Sequence, residues 1–178
     1  MPYFTAVLAS DPSGWRARDV DVPAGSLDEL AEVLRAAAVG EAPVLAAIES
    51  EDEWFALVRA DPSGEARFFV SDALAAGSGG YAGLFADDAL PAEYPVAPPV
   101  VAGDEGDGDG EDGDGEDGGS GAAAAPAAPW AGDPGLLSDL GCPAGELLEL
   151  AERGDDPAAA LAEVGELLGC ADVMESLR

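Results

Sequence analysis

The sequence predicts an α+β protein: a small N-terminal sheet domain with the order β-β-α-β-β-β, and a short C-terminal helical module. A disordered acidic linker rich in Gly, Pro and Ala joins the two. Three observations carry this expectation. Apolar runs containing aromatic and β-branched residues alternate with turn signals over residues 3–72. One amphipathic stretch with a helix-start signature interrupts them at 26–38. A segment of Pro, Gly, Ala and acid at 95–132 then separates them from a leucine-rich helical pattern. The expected boundaries are 1–94 for the α+β domain, 95–132 for the linker and 133–178 for the helical module.

The first run, "YFTAVLAS" (3–10), reads as a buried strand and leads through "DPSG" into the alternating "WRARDVDV" (15–22). The same tetrapeptide recurs at 61–64, between "EWFALVRA" and "EARFFVSD". Pro presets φ at the second turn position, Asp at the first bonds onward, and Gly frees the backbone at the fourth. Two hairpins follow. A repeated phosphate loop is the sharper alternative, and it lacks a second Gly and a following Lys.

In "SLDELAEVLRAAA" (26–38), Ser26 and Glu29 have capping-box spacing, and Leu27, Leu30, Val33, Leu34 and Ala37 share one helical face. "APVLAAIES" (42–50) supplies a further strand. Regularity fades after "DALAA" and stops near residue 85. It returns at Asp133, where "DPGLLSDLG" and "DDPAAALAEVGELLG" each place Asp before Pro, the cap followed by the first helical residue. A module of this size is marginal alone, which predicts docking on the first domain or on a partner.

The chain carries 37 acidic residues against 7 basic ones, all Arg, for a formal charge of −30, and has no histidine. The segments before and after the acidic run at 104–119 are each acidic without it. Such a surface repels phosphate backbones, so direct binding to nucleic acid is not expected, and a basic protein partner is. The bias fits either GC-rich coding or salt adaptation. No apolar stretch reaches the roughly 20 residues that span a bilayer, and the N-terminus lacks a positive n-region. A cytoplasmic protein with no membrane association is the expectation. Cys142 and Cys170 are then small core residues rather than a disulfide.

"DEGDGDGEDGDGEDGG" (104–119) matches no calcium-loop register: begun at Asp107 or at Asp112, the position that requires Gly holds Asp112 or Asp117. It reads as a self-repelling spacer. "GSGGYA" (77–82) spells a relaxed dinucleotide fingerprint without the strand before it or the helix after it. Without histidine, Ser-His and Cys-His nucleophile pairs and His-ligated zinc are excluded. The carboxylate pairs Asp87-Asp88 and Asp155-Asp156 carry no information in so acidic a chain. The expectation is a non-enzyme with no cofactor and no metal.

One basic cluster remains. Arg16, Arg18, Arg59 and Arg67 fall on predicted hairpin strands, with Arg16 and Arg18 two apart and so on one side. Cross-strand pairing with acids accounts for them. The functional alternative presents them, with Trp15, to RNA or to an acidic patch.

Taken together, "YFTAVLASDPSGWRARDVDV", "APVLAAIESEDEWFALVRAD", "RFFVSDALAA" and the C-terminal "LLSDLG…ELLELAE…ELLGCADVMESLR" resemble the actinobacterial tRNA adenosine deaminase-associated proteins. The resemblance spans about 130 of the 178 residues and skips the linker. It implies a protein encoded beside a tRNA adenosine deaminase and a role in binding or modulating that enzyme. Deamination itself is excluded by the residues: the zinc site needs a His or Cys ligand with Glu two residues on and a Pro-Cys-x-x-Cys pair. Here Cys142 precedes Pro143 with no second Cys nearby.

Overall fold

A computed structural model describes residues 3–23, 25–50, 53–85, 130–154 and 156–178. Strand β1 (Tyr3–Asp11) turns through Pro12-Ser13 into β2 (Gly14–Arg18), and Asp11 pairs with Gly14 to close a two-residue loop. Asp11 accepts from the Ser13 hydroxyl and amide and pairs with Arg16 at 2.5 Å. These bonds, those of Ser13 foremost, pull its carboxyl down to about 2. β2 stops at Arg18, short of the expected 15–22.

Helix α1 (Leu27–Ala37) begins as its capping residues require, with the Ser26 hydroxyl accepting from the Glu29 amide at 3.2 Å. Strands β3 (Val44–Ser50), β4 (Trp54–Ala60) and β5 (Arg67–Val70) follow, then the short α2 (Ala73–Ala76) and a 3-10 turn at Ala82–Phe85. At the C-terminal end lie β6 (Ala131–Gly132), a 3-10 turn at Ser138–Leu140, α3 (Ala144–Arg153), α4 (Pro157–Leu168) and α5 (Ala171–Glu175). All strands join one antiparallel sheet in the order β2-β1-β3-β4-β5-β6.

The sheet is covered on both faces, which explains why β3 and β4 are buried at every position and read as continuous rather than alternating apolar runs. Val7, Ala46, Ile48, Val58 and Phe68 pack with Leu30 and Leu34 of α1 and with Leu84 and Phe85. The opposite face, with Leu8, Leu45, Leu57 and Phe69, packs against Leu136, Leu147, Leu161 and Val164 of the C-terminal segment. The described residues accordingly form one compact unit. The core on this second face draws its residues from both parts of the chain.

The sixth strand lies inside the span expected to be linker, of which 95–129 fall outside the described residues. Two features hold it. Trp130 stacks on Phe69 with ring centroids 5.9 Å apart, and the Asp133 amide donates to the Phe68 carbonyl at 2.7 Å. Gly132 runs so close to β5 that a Cβ there would sit 2.2 Å from the Phe68 carbonyl oxygen, at a φ of +98°. Gly132→Ala is therefore expected to cost about 2–3 kcal/mol in a urea denaturation, from backbone strain and loss of the close approach.

Candidate functional site

The five residues singled out on the strands do not form one surface. Arg59 of β4 and Arg67 of β5 stand opposite each other, on the face covered by the C-terminal helices. Trp15 lies on that same face of β2, while Arg16 and Arg18, paired with Ala9 and Val7, lie on the α1 face at the sheet's edge.

Arg59 is 5% exposed. Its guanidinium donates to the Leu136 carbonyl at 2.7 Å, to Asp61 at 2.9 Å and to both oxygens of Asp139. The bond to Asp139, then that to Asp61, holds its pKa above the ordinary value, and Arg59 in turn depresses the Asp139 carboxyl. Arg67 bridges Asp61 at 3.6 Å and Asp133 at 3.1 Å. These arginines clamp the segment 133–139 to the sheet. Trp15 does similar work at the other edge: its indole N–H donates to the Leu168 carbonyl at 3.0 Å, capping the end of α4. Arg16 is exposed and held by Asp11 and Ser13 within its own turn.

Arg18 differs from all of these. Among the described residues its side chain makes no hydrogen bond or ion pair, and its Nε is enclosed without a partner. It lines a cavity of about 500 Å³ together with Thr5, Asp19, Asp21, Val22 and Tyr81. The cavity sits where β2 ends, so that β1 continues below Val7 with no strand on its outer side among the described residues.

Tyr81 belongs to a feature that sequence reasoning missed. Tyr3 meets Tyr81 edge-on at 4.9 Å and tilts on Trp54 at 6.1 Å, and Trp54 meets Phe85 at 5.7 Å. The Tyr3 hydroxyl accepts from the Gly80 amide at 2.7 Å. A Cβ at Gly79 would lie 2.6 Å from that hydroxyl, so these glycines admit a tyrosine ring. The "GSGGYA" stretch begins at the end of α2 and leads into a 3-10 turn, which is not the strand-to-helix crossing that a dinucleotide loop needs. Burial, with Tyr3 nearby, raises the Tyr81 phenol above its ordinary value. Among the described residues the Trp54 indole N–H is the other enclosed side-chain donor without a partner.

Cys142 and Cys170 are unpaired and buried, and burial pushes each thiol up to about 11. At neutral pH both stay protonated, which leaves them inert as nucleophiles. Among the described residues no group of three or more Cys, Asp or Glu is placed to hold a metal ion, and no helix is long and apolar enough to cross a membrane.

No curated protein and no solved structure matches the chain. A family model does match, over residues 3–171, which takes in the sheet and the helices through α4. On that match the chain belongs to the family of Rv3753c-like tRNA adenosine deaminase-associated proteins.

Proposed function

We propose that the chain is a non-catalytic accessory protein that binds a tRNA adenosine deaminase in the cytoplasm, through its acidic surface and the enzyme's basic tRNA-binding face. The observation that carries this reading is the internal use of the arginines. Six of the seven hydrogen-bond within the chain, against 37 acidic residues. The surface is thus left with a large excess of unneutralised carboxylates. Such a field speeds encounter with a cationic protein and opposes encounter with RNA.

Isothermal calorimetry of the full chain against the deaminase is expected to show binding at micromolar concentrations that weakens as salt rises. A blank titration at low salt would remove the partner. A gel shift with tRNA alone is expected to show no complex. A tRNA complex formed without the enzyme, and lost in Arg16→Ala and Arg18→Ala, would replace this reading with that of an RNA adaptor.

A further inference from the structure

We propose that the open edge of β1 beside Arg18 is a docking site for the C-terminus of an extended peptide, with its terminal carboxylate on the Arg18 guanidinium. The inference goes beyond the deaminase reading and does not depend on it.

The backbone supplies the first part of the argument. The Ser10 amide donates to Pro43 on the β3 side. Peptide groups alternate in direction along a strand, so the N–H and C=O of Val7, Ala9 and Asp11 face β2, and those of Thr5 face the same way. Pairing with β2 ends at Val7↔Arg18. The residue that would continue opposite Thr5 is Val20, and Asp19–Val22 instead leave the sheet and form the far wall of the cavity. Thr5 therefore offers one donor and one acceptor to a slot with a ready strand template, the arrangement used when a peptide adds to a sheet.

The second part is charge. Among the described residues Arg18 is the one arginine whose side chain has no partner, while every other arginine has one. Its side chain lies on the α1 face at the end of β2 and lines the same cavity as Thr5. A peptide lying beside Tyr3–Ala6 meets β2 head-on there, so it must turn away or end. A chain that ends brings a carboxylate to the guanidinium, and the pair forms charge-assisted hydrogen bonds. With its C-terminus at Arg18 the peptide runs parallel to β1. Asp19 and Asp21 flank the same slot, which selects basic residues upstream of the terminus and disfavours acidic ones.

The test is a titration of the ¹⁵N-labelled full chain with acetyl-Lys-Val-Lys-Val-Val bearing a free carboxylate. The expected result is a saturable shift of the Thr5 amide and the Arg18 Nε–H signals. The C-terminally amidated peptide and the Arg18→Gln variant are each expected to weaken binding by about tenfold or more, the loss of a charge-assisted bond. Thr5→Pro removes the outward N–H at a position where an edge tolerates proline; it too is expected to weaken binding, with the circular dichroism spectrum unchanged. Signals of Thr5 and Arg18 that stay fixed at millimolar peptide would overturn the proposal. So would an amidated peptide that binds as well as the free acid.

Discussion

Replacing Phe69 with alanine is expected to lower the unfolding free energy by about 4 kcal/mol and to loosen the segment that enters the C-terminal helices. Phe69 is fully buried in the centre of β5, facing the helices. Its ring tilts on Phe55 at 6.2 Å and stacks on Trp130 at 5.9 Å. Truncation removes both ring contacts and leaves a cavity whose walls are the leucines of the shared core, and aromatic-to-alanine changes in such sites cost roughly 3–5 kcal/mol. That is a large share of the stability of a domain of this size. Urea denaturation followed by tryptophan fluorescence measures it, with Trp130 as the local reporter. A loss under about 1 kcal/mol would mean that the helical segment does not share its core with the sheet.

Arg59→Met is expected to cost about 3 kcal/mol, the second largest effect. Methionine fills much of the volume, so the loss reports polar groups left behind. The Leu136 carbonyl loses its donor in a buried place, and Asp139 loses its partner. The Asp139 side chain is 61% exposed and regains water, which keeps the cost below that of breaking a fully enclosed pair. The pH dependence has a definite sign. The Asp139 carboxyl is depressed in the folded chain, chiefly by its bond to Arg59. Its contribution is therefore complete above the unfolded value near about 4 and is lost as pH falls through the lower folded value. The gap in stability between the parent and Arg59→Met should accordingly narrow in acid. Denaturation curves at neutral pH and at about pH 3 test this, and a gap of constant size would assign the stabilisation to packing instead.

Much of the sheet was legible because its signals are local. The capping box at Ser26 and Glu29, the Asp11–Gly14 turn and the apolar runs of β1, β3 and β4 each depend on residues within a few positions of one another. The sixth strand was not legible. Its two residues, Ala131 and Gly132, sit in a composition that favours disorder, and the one available signal was Trp130, a large aromatic among Pro and Ala. What orders it is the Phe69 ring, far away in sequence. β2 was read too long for a related reason: alternation continues through Val20 and Val22, but only the departure of the backbone after Arg18 decides where pairing ends.

The strand arginines divide in the same way. Periodicity alone placed Arg16 and Arg18 on one side of their strand, and the Arg16 partner, Asp11, lies five residues off in the same hairpin. The Arg59 partners Leu136 and Asp139 lie 77 and 80 residues on, and no local pattern announces such a pairing.

By itself, then, the sequence determined the α+β class, the order of the first five strands and the first helix, the acidic surface and the lack of any histidine-based chemistry. These follow from composition and from periodicities that the backbone imposes over short range. Only the tertiary structure decided that the C-terminal helices complete the second face of the sheet, that Arg59, Arg67 and Trp15 hold them there, and that Arg18 is left unpaired at an open strand edge. Those outcomes depend on which distant groups meet when a marginal helical segment packs onto the sheet, and that is set by packing in three dimensions.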